Sequence, residues 1–158
     1  MQKKTKIIVG AVVVLAVIVL LAAAASGGGS SKAEVRYNYS IEVTDSFTTD
    51  SGYTASSGTG SDFAIVTWTV ANDSYSDGFS TNSLTFDADL TVNGLTYGTS
   101  AYMYSHPGYL LATIEQGHSA SFVYVYEVPD GTAVSDIEVS FEYTWTFDPP
   151  KMERDESL

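Results

Sequence analysis

IEVSFEYTWTF, residues 137–147, decides the fold class: Ile137, Val139, Phe141, Tyr143, Trp145 and Phe147 alternate with Glu138, Ser140, Glu142, Thr144 and Thr146. Successive side chains of a strand point to opposite faces, so this stretch predicts a β-strand with one apolar and one solvated side. Pro149-Pro150 stops it. The same period recurs at Val35, Tyr37, Tyr39, Ile41 and Val43, which alternate with Arg36, Asn38, Ser40, Glu42 and Thr44. Leu84, Phe86, Leu90 and Val92 likewise alternate with Thr85, Asp87, Asp89 and Thr91. FAIVTWTVA at 63–71 is apolar on both faces, as an interior strand of a two-layer fold is. SASFVYVYEV at 119–128 is a further strand, halted by Pro129-Asp130-Gly131.

Turn chemistry fills the gaps. Asn93-Gly94 is a hairpin signal, because both central positions of a type I′ turn need positive φ. Leu95, Tyr97 and Tyr102–Tyr104 form its returning strand, and Tyr109–Ile114 is a short strand before a turn at 115–118. Residues 47–62 and 72–82, rich in Ser, Thr, Gly and Asp, read as loops. Seven or eight strands with no amphipathic helix among them predict an antiparallel, all-β immunoglobulin-like sandwich over 34–148, with an eight-stranded barrel as the alternative. The charged residues 149–158 read as a disordered tail.

Three stretches together, FAIVTWTVANDS at 63–74, Asn93-Gly94-Leu95-Thr96-Tyr97 and the run from Ile114 to Gly131, resemble the immunoprotective-extracellular-protein-like domain of unknown function, found in small exported prokaryotic proteins. The resemblance spans Val35 to Phe147. It implies an immunoglobulin-like sandwich outside the membrane and no established enzymatic activity. The chain has no cysteine, so it departs from the lipid-anchored members, which carry a lipobox cysteine.

Ahead of the strands, Ile7 to Ala25 is 19 residues without a charge, preceded by Lys3, Lys4 and Lys6. As a helix it would reach about 28 Å, close to the hydrocarbon thickness of a bilayer. The lysines orient it with the N-terminus in the cytoplasm and the C-terminal domain outside. Residues 1–25 are therefore either a retained single-pass anchor or a signal removed before Ser26, since Ala23-Ala24-Ala25 fits a small-residue cleavage site. Residues 26–33 are a Gly/Ser-rich linker.

All 19 acidic residues lie beyond the apolar run, and without the three leading lysines the chain carries 4 basic side chains, about −15 in net charge. Such a surface repels nucleic acid and anionic headgroups and favours cationic partners. The absence of cysteine excludes disulfides, thiolate metal sites and a thiol nucleophile.

No nucleophile elbow or phosphate-binding glycine loop occurs, and His106 and His118 lack metal-ligand spacing. No cofactor is expected. Asn72-Asp73-Ser74 and Asn38-Tyr39-Ser40 have the form of glycosylation acceptors, Asn72 in a loop and Asn38 on a strand's polar face. Asp73, Asp77 and Gly78 match part of a calcium loop, but Tyr75 and Leu84 stand where ligands belong. Asp87 and Asp89 share one strand face as weak cation candidates. Tyr102, Tyr104 and Tyr109 flank Ser105-His106-Pro107-Gly108, a loop that would display aromatic rings to a ligand. The expected role is a non-enzymatic surface module that binds an extracellular protein or its own copies. The alternatives are a carbohydrate-binding module using those tyrosines and an envelope or filament subunit.

Overall fold

A computed structural model describes residues 32–144 and 146–158. The anchor or signal segment 1–25 and most of the linker 26–33 lie outside the described residues. Within them no helix is long and apolar enough to cross a membrane. The described chain is all-β. Its strands are β1 (Val35–Thr44), β2 (Ser46–Thr48), β3 (Thr54–Ser56), β4 (Ser61–Asn72), β5 (Phe79–Ser80), β6 (Phe86–Val92), β7 (Leu95–Tyr97), β8 (Thr113–Ile114), β9 (His118–Pro129), β10 (Ile137–Tyr143) and β11 (Met152–Arg154). Short 3-10 turns occupy Ala101–Ser105 and Val134–Asp136.

Two open sheets carry the body, β11-β1-β4-β9 and β10-β6-β7, with two-stranded ladders β2-β3 and β5-β8 beside them. Neither sheet closes on itself, so the described strands form no barrel. β4 runs antiparallel between β1 and β9, with Tyr39, Trp68 and Phe122 in one cross-strand row and Ile41, Val66 and Tyr124 in the next. These rows face the second sheet. Trp68, fully buried, meets Phe86 of β6 edge-on at 4.8 Å and Phe141 of β10 at 5.5 Å, while Tyr39 lies 5.0 Å to its side. The alternate residues Phe63, Ile65, Val123 and Val125 point to the other face and are buried too. This explains why β4 reads apolar at both parities.

Two tyrosine hydroxyls reach across the interior. β7 pairs only with Leu90–Val92, so the backbone of Phe86 and Ala88 lies beyond its end. Tyr126 donates to the Ala88 carbonyl at 2.7 Å, and Tyr124 donates to those of Phe86 at 2.9 Å and Thr81 at 3.0 Å. The hydroxyls thus satisfy the Phe86 and Ala88 carbonyls beyond the end of β7 and the Thr81 carbonyl ahead of β6, as buried polar groups require. Desolvation raises the pKa of both well above the usual phenol value.

The Asn93-Gly94 turn has both residues at positive φ, 51° and 79°, and connects β6 to β7 as its sequence predicts. Asn93→Ala should cost about 1–2 kcal/mol, because an alanine lacks the local hydrogen bonding that eases the left-handed region, and a urea titration measures it.

Several expectations are corrected. Residues 47–62 are not one loop but contain the β2-β3 hairpin, Tyr102–Tyr104 lie in a 3-10 turn rather than a strand, and the strand expected over Tyr109–Ile114 shrinks to β8. The strand at 137–147 ends at Tyr143, leaving Phe147 in solvent.

The 149–158 segment is not a disordered tail. Met152, Glu153 and Arg154 pair in parallel with Val35, Arg36 and Tyr37, so the sheet is not purely antiparallel. A charged clasp explains the ordering. Arg36 forks onto Asp73 at 2.6 and 3.0 Å and reaches Asp155 at 2.6 Å, and the Asp155 N–H donates to the Tyr37 carbonyl at 2.8 Å. The Arg154 guanidinium lies 4.7 Å from the centre of the Tyr39 ring.

Hydrogen bonds from Ser157 and then Arg36 hold Asp155 down to about 2, and Arg36 also depresses Asp73. A depressed carboxylate stabilises above its ordinary range and loses that contribution only as pH falls through its folded value. The clasp should therefore persist at pH 4, whereas Arg36→Ala should release 151–158. Faster tryptic cleavage after Lys151 and Arg154 in the variant would register the release.

Candidate functional site

The described chain begins at Lys32, beside the end of the sheet where Val35, Asn72 and His118 share a row. β1 then runs ten residues, about 30 Å, to Thr44, whose row holds Phe63 and Glu127. The β2-β3 hairpin follows at that far end. Its Asp50 N–H donates to the Ser105 carbonyl at 3.0 Å, and Phe47 packs on Phe63 at 5.1 Å and on His106 at 4.8 Å. The hairpin and the 3-10 turn thus become one surface, at the other end of the sheet from Lys32 and Val35.

Exposed aromatics gather there. Tyr53 is 75% exposed, Tyr104 59% and Tyr102 41%. Tyr102 rests edge-on against Phe63 at 5.1 Å, and Tyr104 stands edge-on to Tyr109 at 5.2 Å. Their rings are braced from below while part of each faces water. Between them Met103 is buried and anchors the turn, and Ser100 caps it by accepting from the Tyr102 N–H. Tyr109 is half-buried, its phenol pKa raised by desolvation and then by Tyr104. The sequence pointed to Tyr102, Tyr104 and Tyr109, and the structure brings them together. It adds Tyr53, which sits in a Ser/Thr/Gly stretch and is brought to the group by the Asp50–Ser105 bond and the packing of Phe47 on His106.

Asn72 is corrected as a glycosylation candidate. It is 1% exposed, and its amide donates to the carbonyls of Tyr75 at 3.0 Å and Ile114 at 2.8 Å while accepting from the Tyr75 N–H at 2.9 Å. A glycan on Nδ2 would take the place of one of the two donated hydrogens and would need room that a side chain 1% exposed does not have. Asn72→Ala should cost about 1–3 kcal/mol through stranded buried carbonyls, and intact mass should show no glycan at Asn72 in any glycosylating host. Asn38 is half-buried, its carbonyl oxygen accepting from the Tyr39 N–H at 2.9 Å and its amide reaching the Leu158 carbonyl at 3.5 Å. It is tied to the strand edge and the C-terminal segment rather than displayed.

The acidic candidates do not converge. Asp73 is committed to Arg36, Asp77 is exposed, and Tyr75 belongs to the core, its hydroxyl donating to the Asp148 carbonyl at 3.2 Å. Asp87 and Asp89 point outward from β6, where Asp87 faces Glu142 and Asp89 faces Ser140 across the ladder. No group of three or more His, Asp or Glu side chains among the described residues is arranged to hold a metal. His118 is exposed, with Nδ1 3.2 Å from the Gln116 carbonyl. His106 is packed against Phe47, and its Nδ1 accepts from the Gly108 N–H at 3.0 Å.

A shallow hollow of about 240 Å³ lies at the opposite end from the tyrosines, lined by Leu110, Ala112, Ile114, Glu115, His118 and Ala120 among others. Thr113 and Ser119 also line it, and His118 Nδ1 is turned to the Gln116 carbonyl rather than to either hydroxyl. No protein-family model, curated protein or solved structure matches the chain.

Proposed function

We propose that this chain is a non-enzymatic extracytoplasmic module: an immunoglobulin-like sandwich, held to the membrane by residues 1–25 or released before Ser26, that docks a protein partner through its far end. The reading keeps the likeness to the immunoprotective-extracellular-protein-like domain as a proposal of kinship. The observation that carries it is the polarity of the domain. The chain enters beside Val35, while Tyr53, Tyr102 and Tyr104 stand exposed about one β1 length away. On a tethered domain that end faces outward. Tyrosine suits such a role because it brings large, rigid contact area with a polar tip. The net charge argues for a neutral or basic partner over a second acidic copy.

A neutral carbohydrate is the second reading, favoured by the Tyr104 ring, which is 59% exposed and stands nearly perpendicular to Tyr109, as a stacking platform. A neutral glycan array with wild type and Tyr104→Ser distinguishes the two.

Location is tested by the absence of native cysteine. Single-cysteine variants Thr54→Cys at the tyrosine end and Ser76→Cys near the tether are both at exposed positions. A membrane-impermeant maleimide should label both on intact cells, or in the medium if the chain is released. Labelling only after lysis would defeat the proposal.

A further inference from the structure

The tyrosine-bearing segment is fastened to the sheet by a small number of bonds, and the turn that presents one of their acceptors, the Gly108 carbonyl, is closed from within by a neutral histidine. Ser100 to Tyr109 runs along the free edge of β9. The Ser100 N–H donates to the Val125 carbonyl at 2.7 Å, and the Val123 N–H donates to the Gly108 carbonyl at 3.0 Å. Gly108 sits so close that a Cβ there would lie 2.8 Å from Val123 Cγ1. Its own N–H is taken by His106 Nδ1 at 3.0 Å, with the imidazole ring against Phe47. The His106 carbonyl in turn accepts from the Tyr109 N–H at 2.9 Å.

We propose that His106 is an acid-sensitive latch: as neutral imidazole it closes the Ser100–Tyr109 segment onto β9, and on protonation it releases that segment and the tyrosines it carries. An imidazolium has no lone pair at Nδ1, so protonated His106 would set one N–H against another at Gly108. The segment cannot slide to another partner, because Gly108 is wedged against Val123. Opening would uncover Phe63 and Val123 beneath the segment and Met103 on its inner side, and free Tyr102 and Tyr104 to reorient.

Each element packed against the segment carries a carboxylate. Glu42 of β1 acts on it directly, Glu127 of β9 accepts from the Ser100 hydroxyl at 3.1 Å, and Asp50 of the β2-β3 hairpin is bonded through its backbone to Ser105. Carboxylates favour imidazolium, yet burial outweighs Glu42 and lowers the His106 pKa below its ordinary 6.5. The sign follows. Above about 6.5 both closed and open forms are neutral and the latch holds in full. As pH falls from there toward the lowered value, the open form takes up a proton that the closed form refuses, and opening grows by up to about tenfold per pH unit.

Amide exchange on the full chain in micelles tests this at the Gly108 and Val123 N–H groups. Expressed as protection factors, both should fall by up to about fivefold between about pH 6.5 and 5.5, while Val66 in the centre of β4 keeps its protection. His106→Asn places a non-titrating carbonyl oxygen where Nδ1 accepts, so its protection at Gly108 should stay flat over the same range. An equal fall in His106→Asn, or no fall in the wild type, overturns the latch. Imidazole nitrogen shifts of the wild type give an arm that needs no variant. Neutral His106 should carry its proton on Nε2 and titrate with a midpoint below 6.5, whereas a proton on Nδ1, or a midpoint at or above 6.5, contradicts the inference.

Discussion

Trp68→Ala should be the most damaging single substitution in the domain, costing about 3–5 kcal/mol and leaving much of the protein unfolded at 37 °C. Trp68 is 0% exposed and touches Tyr37, Tyr39, Phe86 and Phe141, so it joins β1, β4, β6 and β10. Removing it empties the place where the two sheets meet, and no flexible side chain stands ready to fill the void. Trp68→Phe should be far milder. The indole Nε1 is buried with no hydrogen-bond partner among the described residues, so phenylalanine forfeits volume but relieves an unsatisfied donor. Urea unfolding followed by circular dichroism separates the two, with the alanine variant losing at least twice as much stability as the phenylalanine variant. Equal losses would mean that Trp68 is not the junction of the sheets.

Tyr124→Phe combined with Tyr126→Phe should follow in severity. Each change keeps the ring and removes only a donor, leaving the carbonyls of Phe86, Thr81 and Ala88 buried without their partner. The expected cost is about 1–3 kcal/mol for each tyrosine. The same groups set an alkaline limit. Their folded pKa values are raised, so their contribution is complete below the unfolded phenol value near 10 and disappears as pH climbs beyond it. With two such groups, wild-type stability should fall by about 2.7 kcal/mol per pH unit above 10, partly abolished in the double variant. Tyr37 and Tyr143, also raised by desolvation, leave a residual slope.

The long strands were legible because β1, β6 and β10 each bury one face against the other sheet and so repeat at two residues, while β4 and β9 betray their doubly covered places by being apolar at both parities. Shorter pairings left no such trace. β2, β3 and β5 have two or three residues apiece, too few to show a period, and lie in Ser-, Thr- and Gly-rich stretches, while β8 is what remains of the strand expected over Tyr109–Ile114. β11 escaped for another reason. Met152-Glu153-Arg154 has the composition of a frayed end, and it is ordered by Arg36, 119 positions away from Asp155. Long-range order of this kind has no local signal. The Asn72 error is similar, since Asn-Asp-Ser after a strand reads as a displayed turn, while its amide bonds to Ile114, 42 positions on. At the candidate site the tyrosines around 102–109 were visible as a cluster, whereas Tyr53 and the imidazole-to-Gly108 bond required the fold.

The central claim is that the tyrosine end, and no other part of the surface, meets a partner outside the membrane. A photo-crosslinking scan of the full chain on intact cells tests it most directly. A photoreactive phenylalanine analogue is placed in turn at Tyr53 and Tyr104, at Asp89 on the acidic face, and at Leu111 near the hollow. All four are solvent-accessible or partly so. Adducts of one discrete mass should form from Tyr53 and Tyr104 and be absent from Asp89 and Leu111. Adducts confined to Asp89 or Leu111, equal yields from all four, or none at the tyrosine end would contradict the account.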